Sequence, residues 1–275
     1  MTQAAQAATP IRPLDAVGWQ LVEFSGVAKD FTTPEGPFRA VQDVNLEVRR
    51  GEVVTLVGPS GCGKSTLLNM TAGLFVPTAG KVSYDGREIR QINTKTGYMT
   101  QNDHLLPWRN VLDNIAVPLE IAGLSRSDIR ARVQVLIDMV GLTGFEQSFP
   151  TQLSGGMRKR AALARLLAYD PETLLLDEPF AALDAQMRLK MQVELLSISR
   201  KLNKTVLFVT HDLDEAVGLG DRIAVFSPRP GTIRRLITSP LGHDRDLLRL
   251  RHEPAYASLC AELWDMIVPS IESHQ

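Results

Sequence analysis

The chain has 275 residues, 44% hydrophobic and 22% charged, with 30 basic against 31 acidic side chains and a formal net charge of −1. That length fits one large domain or a core with a subdomain, and the apolar content suffices for a sizeable core. The balanced charge removes any global electrostatic case for nucleic acid or an anionic membrane. Two cysteines, Cys62 and Cys260, are too few for a disulfide framework and fit a reducing compartment.

Residues 1–18 are Ala-rich and Pro-interrupted, without the basic start and apolar run of a signal peptide, and read as a flexible tail. Nowhere do roughly 20 apolar residues run together, so no segment is expected to span a bilayer. From residue 19 to about 56 the pattern reads as short strands broken by turns, among them residues 32–37 (TTPEGP). Residues 52–57 (EVVTLV) form a β-branched apolar run, the mark of a buried strand. A Gly-rich loop and the helical run KSTLLNMTAGL follow.

Further buried strands are expected at residues 173–176, 205–209 and 222–226. Apolar strands alternating with helices imply a parallel α/β sheet, with ligands at the carboxyl ends of its strands. The insert before residue 173 is mostly helical. Its clearest helix opens at Ser125 with Asp128 three residues on, a capping-box-like start. Ile129, Val133, Leu136, Ile137 and Val140 then share one face, and the helix stops at Gly141.

The strongest chemical signal is Gly58-Pro59-Ser60-Gly61-Cys62-Gly63-Lys64-Ser65, followed by Thr66, set between a strand and a helix. Glycines let the backbone curl so that successive N–H groups meet phosphate oxygens, reinforced by the helix N-terminus. Lys64 is expected to reach the β- and γ-phosphates of ATP, and Ser65 to ligate Mg²⁺. An alkylating reagent able to reach Cys62, inside this loop, should block nucleotide.

Downstream, Leu174-Leu175-Leu176-Asp177-Glu178-Pro179 ends a buried strand in carboxylates. Asp177 is expected to hold Mg²⁺, directly or through water, and Glu178 to polarise the attacking water. A third signal is Leu153-Ser154-Gly155-Gly156-Met157, opening the helical run RKRAALARLLA. Serine and two glycines at a helix start make a second anion-seeking N-terminus. Two such starts with a single phosphate loop are most economically explained if they serve one ATP from two subunits.

The order of the phosphate loop, Gln101, LSGGM, LLLDEP, Ala181-Ala182-Leu183-Asp184 and Thr210-His211-Asp212 resembles the ATP-binding cassette family, from about residue 21 to 226. The resemblance implies an α/β P-loop NTPase (RecA-like) core with a parallel sheet, an N-terminal antiparallel β subdomain and an inserted α-helical signature subdomain. It implies an ATPase domain over residues 19–227, with the helical part at about 102–164 and a C-terminal appendage at 228–275. It also implies that Phe31 stacks on adenine, with Phe38 as second choice. Gln101 would contact Mg²⁺ and water and sense a membrane partner, Asp184 would communicate across a dimer, and His211 would hold the γ-phosphate and order Glu178. Ser154, Gly155 and Gly156 would meet the nucleotide of a second copy of the chain.

Many members of that family carry glutamine where this chain has Lys159, a position expected to lie away from the phosphate contacts. Narrower likenesses point to the ATPases of nitrate, sulfonate and taurine importers. They are Leu105-Leu106-Pro107-Trp108-Arg109 with Val111-Leu112-Asp113-Asn114, then DEPFAALDAQ, KTVLFVTHDLDEAV, SPRPGTI and HEPAYASLCAELWDMI. This implies a peripheral subunit at the cytoplasmic face of the cell membrane, working with integral permease subunits and, indirectly, a solute-binding protein; no nucleic-acid partner is expected. Residues 101–108 suit a cleft for a partner's helix, unless Trp108 is a core or cap residue. After residue 228, Leu259, Leu263, Met266 and Ile267 form a packing stripe. Two rival readings are an ABC-type ATPase acting on nucleic acid or ribosomes and a small-molecule P-loop kinase. The first is opposed by the single phosphate loop and the absence of heptads or basic excess, the second by the LSGGM helix start.

Overall fold

The computed structural model describes residues 20–34, 36–243 and 245–267, so the expected N-terminal tail lies outside the described residues. The chain opens with β1 (Gln20–Thr33) and β2 (Gly36–Arg49), an antiparallel hairpin registered from Gln20 opposite Arg49 to Thr33 opposite Gly36. These are two long strands of 14 residues each, not the short strands expected. Register shifts break them near Gly26 and Asp43, which take positive φ values of 59° and 46°. Bulges of this kind interrupt the period-two alternation without ending the strand.

Next come β3 (Val53–Val57), α1 (Lys64–Thr71), β4 (Ala79–Tyr84), β5 (Arg87–Glu88) and β6 (Thr96–Met99). The helices α2 (Val111–Ile121), α3 (Arg126–Met139) and α4 (Gly155–Tyr169) follow before β7 (Thr173–Asp177) returns to the sheet. The chain ends in α5 (Ala185–Lys201), β8 (Thr205–Thr210), α6 (Leu213–Leu219), β9 (Arg222–Phe226), β10 (Ile233–Thr238) and α7 (Pro254–Ile267).

One sheet runs β2-β1-β4-β5 and is antiparallel; the other runs β10-β9-β3-β8-β7-β6 and is parallel from β9 to β6. The parallel strands are buried at nearly every position and mostly apolar because both faces are covered. Val54 and Leu56 of β3 face a core shared with α1 and the antiparallel sheet. Val53 and Val57 face the opposite core, built with α2 to α7. The register aligns Val57 with Thr210 and Asp177 with Val209. Gly58, Glu178 and His211, each just past a strand end, therefore emerge along one carboxyl edge.

Helix α3 is capped as expected: Ser125 Oγ accepts from the Asp128 backbone N–H and donates to its carboxylate, while Val133, Ile137 and Val140 are buried. Among the described residues after 228, β10 and α7 are built onto the core. Strand β10 extends the main sheet on β9, and α7 buries Tyr256, Leu259 and Leu263 against the same core as α6, with Met266 and Ile267 packed beside them. Tyr256 Oη donates to Asp214 of α6 at 2.7 Å, and the fully buried Arg245 side chain donates to the Gly220 carbonyl at 2.7 Å and to Asp221.

Candidate functional site

The phosphate loop turns on Gly58, Gly61 and Gly63, at φ of 155°, 74° and 98°. A side chain at Gly63 would meet the Ala40 carbonyl at 2.9 Å, and one at Gly58 would meet Phe226 Cβ at 2.9 Å, so the curl is enforced from both sides. Lys64 is buried; its ammonium folds back to donate to the Gly58 and Pro59 carbonyls at 2.7 and 2.8 Å. An ammonium satisfied by the loop's own carbonyls is a group held ready for an anion in the curl. Cys62 is turned into the core at 1% exposure, where its Sγ accepts from the Lys64 ammonium at 3.5 Å and its thiol is closed to an alkylating reagent. Ser60, Ser65 and Thr66 lie at the loop's open side and the first turn of α1.

The Asp177 carboxyl is pushed above the usual range by burial, against the pull of the Ser65 hydroxyl and the Lys64 ammonium. A hydroxyl and a carboxylate are hard oxygen donors, the set that suits Mg²⁺ completed by substrate phosphates and water. Among the described residues no cluster of three or more His, Cys, Asp or Glu side chains is arranged to hold a metal. An ion shared with a nucleotide needs none.

Glu178 has φ of 48°, a strained value for a residue with a side chain. Its N–H donates to the Val209 carbonyl at 3.0 Å, which pins the strained turn to β8. One carboxylate oxygen then lies 3.4 Å from Gln101 Nε2 and the other 3.2 Å from His211 Nδ1. Glu178 thus sits between two side chains from separate strand ends. His211 is itself mostly open, at 60% side-chain exposure.

Ser154 is exposed and caps α4, its hydroxyl accepting from the Met157 N–H at 3.2 Å, and Gly155 and Gly156 form the half-buried first turn. Asp184 caps α5, accepting from the Met187 N–H at 2.9 Å. Phe31 and Phe38 are half-buried and stacked with centroids 5.6 Å apart, and Phe75 stands edge-on to Phe31 at 5.6 Å. Neither Phe31 nor Phe38 belongs to the buried core.

Three features escaped the sequence reading. Lys159 reaches across to the Gln101 loop: it is 9% exposed and its ammonium donates to the Gln101 carbonyl. Burial lowers its pKa, opposed by the charges of Asp103, Asp177 and Glu178. A long side chain one turn into α4 reaches a loop that folds back over the helix, which helix periodicity alone does not reveal. Arg188 of α5 donates to the Leu183 carbonyl at 3.1 Å and to Asp212 at 3.0 Å, joining the turn before α5 to the residue after His211. Arg229 donates to the Gly61 carbonyl at 3.1 Å while lying over the Phe38 ring.

Residues 105–109 are held by Asn114, wholly buried, whose amide accepts from Leu106 N–H at 2.7 Å and donates to the Leu106, Arg109 and Asn110 carbonyls. Trp108 is 72% exposed, which rules out a core role. An open groove beside this loop is lined by Gly97, Met99, Asn102, Val117, Ile121 and Tyr169. No described helix is long and apolar enough to cross a membrane.

The model of the ABC transporter family matches residues 41–181, which hold the phosphate loop, Gln101, Ser154 and Glu178. The chain is 42% identical over 264 residues to a nitrate import ATP-binding protein of Synechococcus elongatus, covering 94% of this chain and 96% of that one. It is 47% identical over 194 residues to a taurine import ATP-binding protein of Yersinia pestis, covering 70% and 76%. A solved dimeric ATP-binding cassette, in a post-hydrolysis state with ADP and Pi, superposes with a TM-score of 0.74 at 33% identity over 79% of this chain and 98% of its own. A phosphate loop, a strand-end carboxylate pair and a serine-glycine helix start on one such fold have a common explanation: the chain belongs to the ABC transporter family.

Proposed function

We propose that this chain is the ATP-hydrolysing subunit of a membrane importer for a small solute such as nitrate, taurine or another sulfonate. The observation that carries the reading is Glu178 suspended between Gln101 and His211 beside the phosphate loop. The solute class is supported by the nitrate and taurine import relatives.

The backbone of residues 58–66 cradles the phosphates, and Lys64 exchanges the Gly58 and Pro59 carbonyls for β- and γ-phosphate oxygens. Phe31 stacks on adenine. Ser65, Asp177 and Gln101 would hold Mg²⁺, which would neutralise charge on the phosphate oxygens. Glu178 orients the attacking water and takes its proton, a contribution of roughly 10²–10⁴-fold. His211 holds the γ-phosphate and keeps the Glu178 carboxylate in place.

Two copies enclose two nucleotides, each held by one copy's phosphate loop and by Ser154, Gly155 and Gly156 of the other, with Asp184 carrying the signal across. The exposed Ser154 at the start of α4 and the dimeric relative support this arrangement. Closure on ATP and release after hydrolysis convert chemistry into motion. Permease helices dock in the groove beside Met99 and Ile121, at the cytoplasmic face of the membrane, and a solute-binding protein supplies the permease.

The test is Glu178→Gln. It is expected to bind ATP with wild-type affinity, accumulate as a closed dimer on light scattering and lose turnover by at least about 10²-fold. Turnover at the wild-type rate would remove Glu178 from its role. Failure of the wild-type chain to co-purify with any permease encoded beside it would sink the importer assignment.

A further inference from the structure

The carbonyls of Gln101, Asp103 and His104 are satisfied by the basic side chains of α4, while that of Asn102 accepts from the Thr100 hydroxyl at 2.8 Å. Lys159 donates to the Gln101 carbonyl, and Arg165 to the Asp103 and His104 carbonyls at 2.9 and 2.8 Å. Arg158 adds an ion pair with the Asp103 carboxylate at 3.0 Å. His104 takes a φ of 46°, so the loop leaves regular geometry where these donors grip it. Backbone groups that find no partner in a helix or sheet must find one elsewhere. Here the signature helix supplies it.

Helix α4 is a single element of 15 residues, from Gly155 to Tyr169. Its N-cap, Ser154, and Lys159 are separated by only about 7.5 Å along the axis, given a rise near 1.5 Å per residue. Motion at one is motion at the other. From Lys159 the line continues without a gap: to the Gln101 carbonyl, along that residue to its amide, 3.4 Å on to Glu178, and 3.2 Å on to His211.

We propose that Lys159 is a positioning residue that couples the two nucleotide sites of the dimer, by tying the Gln101 carbonyl to the helix whose first turn meets the partner's nucleotide. The proposal rests on the reading that Ser154 engages that nucleotide. When α4 is drawn toward the partner's ATP, Lys159 carries Gln101 with it and sets the amide against Glu178 in its own chain. Each site is thereby aligned for hydrolysis only when the other is filled. A lysine suits the task because its ammonium reaches a single carbonyl from a helix one layer away while facing the charges of Asp103, Asp177 and Glu178.

The experiment uses the full chain with Lys159→Met, Lys159→Gln and Lys159→Arg. Turnover is followed against ATP concentration, equilibrium binding with a fluorescent ATP analogue, and dimer closure by light scattering in the Glu178→Gln background. Lys159→Met is expected to bind the analogue within about twofold of wild type and still to close. Its kcat should fall roughly 5–20-fold, the scale of a misaligned catalytic group, and its Hill coefficient toward 1. Lys159→Gln and Lys159→Arg, which keep a donor, should recover most of both. An unchanged kcat and Hill coefficient in Lys159→Met would overturn the proposal. So would a parallel loss of binding, closure and thermal stability, which marks a purely structural side chain. Ser154→Arg separates the underlying reading: if that variant still closes on ATP, the shared-nucleotide arrangement fails whatever Lys159→Met does.

Discussion

The guanidinium of Arg229 lies 4.9 Å over the ring of Phe38 while its Nε donates to the Gly61 carbonyl at 3.1 Å. One side chain from the β9–β10 turn thus spans the phosphate loop and the aromatic pair. The turn is wedged in place. Gly231 exchanges backbone hydrogen bonds with Ala40 and Gln42 at 2.9 Å, and any side chain at Gly231 would collide with the Cys62 carbonyl.

Arg229→Ala is therefore expected to weaken ATP binding by roughly 3–10-fold, the scale of one exposed cation–π contact plus one hydrogen bond. The maximal turnover rate should be kept, because Glu178, Gln101 and His211 are untouched. Arg229→Lys should recover little, since an ammonium cannot lie flat on the ring and donate in the plane as a guanidinium does. Titration with a fluorescent ATP analogue and a KM–kcat comparison read both effects. A fall in kcat with unchanged KM would refute the assignment.

Phe31 belongs to the same patch and carries the adenine assignment. Phe31→Ala should raise the ATP dissociation constant by about tenfold, within the ~1–3 kcal/mol of base–aromatic stacking, whereas Phe31→Tyr should bind normally. Phe38 contacts Arg229 on the rim, so Phe38→Ala should resemble Arg229→Ala more than Phe31→Ala. Equal losses in Phe31→Ala and Phe31→Tyr would point to packing instead of stacking.

What the sequence made legible follows from locality. The buried strands at residues 53–57, 173–177, 205–210 and 222–226 are continuous apolar runs, and the phosphate loop is a local curl of glycines, so each is written in adjacent residues. The contacts of Lys159, Arg188 and Arg229 are not. Lys159 meets Gln101 across 58 positions and Arg229 meets Gly61 across 168, and no periodicity encodes such pairings. Gln101 was identified through family likeness alone, because a lone amide in a loop carries no physical signal. The β1–β2 hairpin was hidden for a different reason. Gly26 and Asp43 sit at bulges that shift which face each residue presents, and the alternation reads as broken.

Trp108 tests the partner surface. At 72%, Trp108 is the most exposed aromatic among the described residues, and the loop bearing it is braced by Asn114 through four hydrogen bonds. A rigid loop presenting an exposed indole fits a contact with another protein. Trp108→Ala should leave the ATPase rate of the isolated chain and its thermal midpoint unchanged. In the reconstituted importer it should lower solute uptake several-fold and reduce stimulation of ATPase by the permease. Undiminished uptake would remove Trp108 from the interface.

The C-terminal helix offers a test of whether residues after 228 stabilise the nucleotide site or merely follow it. Leu263 is wholly buried in the core that also holds Ala216, Val217 and Leu219 of α6, and α6 begins directly after His211 and Asp212. Truncating a leucine in such a place leaves a cavity the surroundings only partly fill, so Leu263→Ala should cost about 2–5 kcal/mol. If α7 belongs to one cooperative unit with α6, the urea midpoint of the whole chain should fall in a single transition, and ATP should partly restore it by binding only the folded form. Tyr256→Phe, which removes the 2.7 Å bond to Asp214, should shift the same transition by about 1 kcal/mol. A separate early transition for α7, with the main one unmoved, would instead make this helix an independent addition whose loss the ATPase tolerates.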